Sequence, residues 1–389
     1  MARGFRPPRL PLVDLKQPPL AGQRVDGLDL LRGIAIGLVL LRHAWPDTFG
    51  GAGVAGVVIF FALSGYLITG LLLGDLRSRG RIDYRRFYRS RAYRLLPALV
   101  FFLVGVTAVG FAAQGLSAVP GIAATWVVGL LYLADLPLPF EVMPGASHLW
   151  SLAVEEQFYL VWPLLLSVAW VRARTGQAIL GMACLFWFLT VGVLLIAPGP
   201  EHLYELPVAW IPALMVGVAG RYWQPAIRSA LPRRRENAAA LLSLVFVAVV
   251  SVGPQMKGLA ATYLVVTPLL ALAGLVLVFW LERWVSLPTR WLEPLRLLGL
   301  ISYAAYLWNY LVVIALQRAV GEDGALPFWA AVLSIPATLA IASLSWVLVE
   351  RPMLARKKSK DAASRRATSG DRNAVLLGTA TRPAQGVRA

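Results

Sequence analysis

LDLLRGIAIGLVLLRHAW, residues 28–45, is an apolar run of helix length broken only by Asp29, Arg32, Arg42 and His43. At about 1.5 Å of rise and 100° of turn per residue, the step from Arg32 to His43 covers roughly 16 Å along the axis and only about 20° around it. The two side chains therefore share one face of one helix. A fixed cation and a titratable imidazole inside a membrane span each cost on the order of a few kcal/mol, so each requires a partner, a water-filled cavity or a function.

The rest of the chain makes the membrane setting plain. Of its 389 residues, 58% are hydrophobic and only 15% charged, outside the range of soluble domains. The sequence predicts an all-α polytopic integral membrane protein of the cell membrane, with a membrane domain over 26–352. A basic tail precedes it (1–25) and another follows it (353–389); both read as disordered. The first tail is Pro- and Arg-rich without an apolar core, so the expectation is that no cleavable signal is present. The single cysteine, Cys184, excludes an internal disulfide and a cysteine-built metal site, and three scattered histidines give no metal spacing. The net charge of +17 sits in loops between apolar runs, which points to topology signals and anionic lipid rather than to nucleic acid.

Apolar windows predict spans at 28–49, 52–73, 95–113, 149–171, 178–197, 206–222, 238–253, 259–281, 297–316 and 328–349, with one further stretch at 119–136. Counting eleven crossings breaks the positive-inside bias; counting ten restores it. The stretch 119–136, bracketed by Gly115, Pro120 and Pro137, then reads as re-entrant, and both termini as cytoplasmic. The Arg77–Arg94 segment becomes a cytoplasmic loop, while Glu201, Glu205, Glu322 and Asp323 face outward.

Several polar constellations accompany the first span. Glu155 and Glu156, in HLWSLAVEEQFYLVWP, fall at a depth similar to His43 and point about 100° apart, so only one of them serves a given site. A carboxylate that orients an imidazole is the usual second member of a base dyad, and a structural ion pair is the competing reading. His148 reads as an exposed loop residue. Arg91 and Arg94, three apart in RAYRLLP, share a face if helical; they either clamp a phosphate or contact lipid headgroups. Gly53, Gly56, Ser64 and Gly65 read as close-packing positions. Ser302, Tyr303, Tyr306 and Asn309 form a polar stripe that lines a cavity or holds helices together.

Six segments in order carry a resemblance: Arg32 with His43 eleven positions on, FFALSGYLI (60–68), RAYRLLP (91–97), WSLAVEEQFYLVWP (150–163), SYAAYLW (302–308) and VERP (349–352). Together they resemble the bacterial multi-span acyltransferases called acyltransferase family three, over roughly residues 25–352. That resemblance implies transfer of an acyl group, commonly acetyl, from acyl-CoA to a hydroxyl on a cell-envelope glycan, a glycolipid or a macrolide-like metabolite. No permanently bound cofactor is implied. It places His43, Glu155 and Glu156 in catalysis, Arg32, Arg91 and Arg94 at the CoA phosphates, and Ser302, Tyr303, Tyr306 and Asn309 at the acceptor. Asn309 stands where relatives often carry His, which removes a titratable group there. The soluble hydrolase-like domain of some relatives is not expected in this chain. A proton-coupled transporter using His43 and Glu155/Glu156 as a relay is the rival reading, and a catalytically inactive binding subunit a third.

Overall fold

The computed structural model describes residues 25–137, 141–322 and 324–357. The two tails, apart from Val25 and the residues from Met353 to Lys357, lie outside the described residues, as does Asp323. Among the described residues every regular element is helical. In chain order the α-helices are α1 (Asp26–Ala44), α2 (Ala52–Arg79), α3 (Tyr84–Gln114), α4 (Val119–Leu131), α5 (Trp150–Val171), α6 (Thr175–Ile196), α7 (Ile211–Tyr222), α8 (Gln224–Ala230), α9 (Arg233–Ser251), α10 (Thr267–Leu281), α11 (Glu293–Leu300), α12 (Ser302–Val320) and α13 (Phe328–Ser345). A π turn, Trp346–Glu350, continues α13, and helix then runs to Lys357, past Pro352.

Among the described residues, six helical segments are long and apolar enough to cross a membrane: 52–79, 84–114, 144–171, 175–196, 262–281 and 328–357. A seventh is present if α11 and α12, bent by 72°, count as one. The sequence expectation of ten crossings exceeds this for physical reasons. The first predicted span, α1, carries Asp26, Asp29, Arg32 and Arg42; α7 has only 12 residues, and α9 begins with Arg233, Arg234 and Arg235. The predicted 297–316 span is broken at Ile301, which its continuous hydropathy does not reveal. The 119–136 stretch contains the short apolar helix α4. The predicted Arg77–Arg94 loop is mostly helix. Gly80 ends α2 in the left-handed conformation (φ 70°), and Asp83 caps α3 by accepting from the Arg86 N–H at 2.9 Å.

The chain divides into two compact units. The first comprises the described residues up to Ile82 and Val154–Ser302; the second comprises Asp83–Ala153 and the described residues from Tyr303. In the first, α2 packs against α1, α7 and α10. Two crossings are backbone-to-backbone. A Cβ on Gly65 would lie 2.0 Å from the Leu214 carbonyl oxygen, and one on Gly217 2.0 Å from that of Ala62, so α2 and α7 meet through reciprocal glycines. The α1–α11 crossing repeats the device with Gly33 against Leu295 and Gly299 against Asp29. In the second unit, α3, α4, the 3₁₀ turn Pro144–Leu149 and α12 enclose a core that includes Phe102, Leu103, Leu149, Leu307 and Trp308.

Candidate active site

The first unit holds His43, Glu155, Glu156, Arg32 and Ser302; the second holds Arg91, Arg94, Tyr303, Tyr306 and Asn309.

In the first unit the two ends of α1 differ. Arg32, near its start, donates to Asp29 Oδ1 at 3.0 Å one turn back on the same helix. Asp29 was an interruption in the sequence pattern; here it is the partner of the neighbouring cation, as i,i+3 spacing allows. His43 lies half-buried near the other end of α1. Glu155 and Glu156 are half-buried on α5, and Glu155 has a defined anchorage. Its Oε1 accepts from Ser64 Oγ of α2 at 2.5 Å and from the Tyr159 hydroxyl one turn along α5. Both bonds fall on the same carboxylate oxygen, so Oε2 is the side of the group left to face another donor. Trp162 Nε1 donates to Thr69 Oγ1 at 3.0 Å and ties the same two helices one step further on. Ser64 was read from the sequence as a small packing residue; its hydroxyl is a carboxylate-positioning donor. Gly56 and Gly65 do serve close approach, against Ala35 and Leu214.

A buried polar network lies beside the start of α1. Glu282 accepts from Tyr66 (2.7 Å), Gln224 (2.9 Å) and Arg228 (2.6 Å), and pairs with Arg221 at 3.5 Å. Tyr66 belongs to the FFALSGYLI segment, so this motif feeds two polar clusters, one through Ser64 and one through Tyr66. Sequence reasoning missed the second because its members are dispersed from residue 66 to residue 282.

In the second unit, three of the recognised segments converge on the start of α3. Arg91 and Arg94 are helical, as the phosphate-clamp reading required, with Arg94 exposed. The π turn ending α13 packs against α3 and places buried Glu350 within electrostatic reach of Arg94. Lys357 Nζ donates to Ser90 Oγ at 2.5 Å. Tyr303 of α12 donates to the Leu95 carbonyl at 3.1 Å.

The polar stripe of α12 is engaged internally. Tyr306 donates to the His148 carbonyl at 2.6 Å, which leaves its oxygen to accept from Ser151 Oγ at 2.5 Å. Asn309 has no exposed surface and donates to Thr338 Oγ1 at 3.4 Å, tying α12 to α13. Of the two readings open for the stripe, this contact is of the kind that holds helices together. His148 departs from expectation. The 3₁₀ turn carries its ring inward, against Phe102, Tyr306 and Tyr310, instead of leaving it exposed.

Residues 25–347 match the profile of an acyltransferase domain. This chain belongs to that acyltransferase family. Among its relatives, YrhL of Bacillus subtilis is 31% identical over 359 residues, covering 85% of this chain and 55% of the relative. The peptidoglycan O-acetyltransferase OatA of Listeria monocytogenes is 30% identical over 364 residues, with the same two coverages. The O-acetyltransferase OatA of Staphylococcus aureus is 26% identical over 362 residues, covering 86% of this chain and 57% of the relative. The chain thus spans little more than half the length of these relatives. No solved structure matches it. Membership in the family makes it a multi-pass membrane protein, in keeping with its apolar helices.

Proposed function

We propose that the protein is a membrane O-acetyltransferase that moves an acetyl group from acetyl-CoA to a hydroxyl of a cell-envelope glycan. Two of its relatives are O-acetyltransferases, one of them of peptidoglycan, which supports the acetyl group and the envelope acceptor. The observation that carries the chemistry is the anchorage of Glu155, a carboxylate fixed through one oxygen by Ser64 and Tyr159.

In this reading His43 takes the proton of the acceptor hydroxyl as that oxygen bonds the thioester carbonyl carbon. The C–S bond then breaks, and the imidazolium returns the proton to the departing CoA thiolate. Glu155 or Glu156 orients the ring and stabilises its cation. Arg32, Arg91 and Arg94 contact the CoA phosphates by charge-assisted hydrogen bonds. Ser302, Tyr303 and Tyr306 lie toward the acceptor. The membrane arrangement that accompanies it has ten crossings, a re-entrant 119–136 segment and both termini on the cytoplasmic side, where CoA resides.

The test is CoA release by purified protein in nanodiscs, given acetyl-CoA with and without a soluble glycan acceptor. Acceptor-dependent CoA release is expected, and R91Q/R94Q is expected to raise the KM for acetyl-CoA several-fold more than that for the acceptor. Absence of acetyl-CoA binding, together with substrate flux that requires His43, would establish the proton-coupled transporter instead.

A further inference from the structure

The network at the end of α10 holds two arginines against one carboxylate. Arg228 Nη2 donates to Glu282 Oε2 at 2.6 Å, and Arg221 Nη1 lies 3.5 Å from Oε1. Among the described residues, Glu282 is the one carboxylate within ion-pair distance of either arginine. The three side chains differ in depth: that of Glu282 is 10% exposed, those of Arg221 and Arg228 29% and 31%. The carboxylate is the inner member and the guanidiniums are the outer ones. An ion pair that only joined helices would be complete with one arginine, because a second cation adds desolvation without a second anion to offset it.

Both guanidiniums are fixed before any ligand arrives. Arg221 lies across α2, where a Cβ on Gly70 would be 2.6 Å from its Nε, and its Cζ is 5.1 Å from the centroid of the Tyr66 ring. Its Nη1 donates to the Tyr66 hydroxyl at 3.1 Å and to Gln224 Oε1 at 2.8 Å. Arg228 has its Cζ 5.9 Å from the Phe279 ring centroid. Side chains ordered in this way have already lost the rotamer freedom that weakens surface cations as ligand-binding groups. An arginine presents a planar fork of N–H donors, and most of each fork is unused: among the described residues, Arg221 donates through Nη1 alone and Arg228 through Nη2 alone. One carboxylate already reaches both cations from the inner side. A phosphate has oxygens at similar spacing and more of them, so it can reach both from the outer side.

The charge around the pair favours an anion as well. Residues 221–235 include Arg221, Arg228, Arg233, Arg234 and Arg235 and no acidic residue. The other carboxylates nearby have cations of their own: Glu236 pairs with Arg283, Asp29 with Arg32, and Asp26 and Glu293 with Arg296. Backbone contacts place the pair at the start of α1. Gly27 N–H donates to the Trp284 carbonyl at 2.9 Å, and a Cβ on Gly27 would lie 2.0 Å from the carbonyl oxygen of Leu281, the residue before Glu282.

We propose that Arg221 and Arg228 form a phosphate-binding site in the first unit, and that the phosphate it takes is one carried by the acyl donor. This rests on the acetyl-CoA reading above and deepens it by adding two guanidiniums to the donor contacts. Glu282 then has the task of holding both cations where a single phosphate meets them. In the ten-crossing arrangement proposed above, the 221–235 segment lies on the side of the termini, where CoA resides.

Calorimetric titration tests the site apart from turnover. The full chain, in nanodiscs of zwitterionic phosphatidylcholine, is titrated with inorganic pyrophosphate, with CoA, and with pantetheine, which has the thiol arm but no phosphate. The variant R228Q/E282Q removes one cation and one anion together, so no buried charge is stranded and only the paired fork is lost. It is expected to bind pyrophosphate and CoA about tenfold more weakly, the size of one charge-assisted bond, with pantetheine binding unchanged. E282Q removes the anion that competes for the same cations, and is expected to bind pyrophosphate and CoA several-fold more tightly. A network that only joins helices predicts neither change. Equal pyrophosphate and CoA affinities in R228Q/E282Q and the native chain would overturn the site, even if acetyl transfer proceeds. Arginine-dependent pyrophosphate binding that vanishes when phosphatidylglycerol is added to the discs would assign the pair to a lipid headgroup and also overturn it. Arginine-dependent pyrophosphate binding that CoA does not displace would uphold the phosphate site and remove CoA as the donor.

Discussion

The two ends of α1 carry cations in opposite circumstances. At and beyond its start, arginines of the first unit are paired with carboxylates among the described residues: Arg32 pairs with Asp29, Arg221 and Arg228 with Glu282, Arg283 with Glu236, and Arg296 with Glu293 and Asp26. Around its other end, Arg42 and Lys257 form no ion pair with a described carboxylate, and Lys257 rests on an aromatic ring. Balanced charge at low exposure is a way of holding helices in register. It gains little net stability over an apolar equivalent, but removal of one partner is costly. The half-exposed cations at the other end are not held in ion pairs of this kind, and the site proposed at His43 lies at that end.

The sharpest way to break this comparison is at His43, on the unbalanced end. H43A is expected to lower kcat for acetyl transfer by about 10²–10⁴-fold, the usual contribution of a positioned acid–base group, with the thermal inactivation temperature unchanged. A steady-state assay beside a thermal ramp checks both. A matched fall in stability would make His43 part of the framework. On the balanced end the expectation inverts. E282A strands two arginines in a buried network and should cost about 3–5 kcal/mol of stability. Thermal inactivation in detergent reads it, and a variant as stable as the parent would show that the network contributes nothing to the framework. A smaller effect sharpens the assignment of the carboxylate. S64A removes one of the two bonds to Glu155 Oε1, worth about 1 kcal/mol, and should reduce kcat about fivefold with KM for acetyl-CoA unaltered. If kcat does not change, Glu156 becomes the partner of the imidazole.

Much of the organisation was legible in the sequence because it depends on short-range spacing. Helical phase alone put Arg32 and His43 on one face and Arg91 and Arg94 on another, and the six ordered segments identified the family. Capping was also written in the chain, in Gly80 and Asp83, although the density of arginine between them suggested a loop. What escaped detection depends on tertiary contact. Hydropathy runs smoothly through Leu297–Leu316, so the 72° break at Ile301 leaves no trace in it. The roles of Ser64 and Tyr66 lie with partners 91 and 216 positions away. His148 is enclosed by rings from α3 and α12 that no local pattern associates with it. The number of crossings proved hardest to read, because α1, α7 and α9 combine apolar character with charge or short length.

The reciprocal glycines of α1 and α11 bear on how mutational maps of this protein are interpreted. Gly33 and Gly299 have carbonyl oxygens where any side chain would begin, so even alanine forces the two backbones apart. A saturation screen scored on activity alone would show Arg32 and Gly33 as one intolerant block and invite a common explanation. Scoring abundance in the membrane alongside activity splits the block: Gly33 variants vanish from the bilayer, whereas Arg32 variants that keep the helix intact persist there. The same double score, applied along the chain, would distinguish positions that hold the protein together from those that act on a substrate.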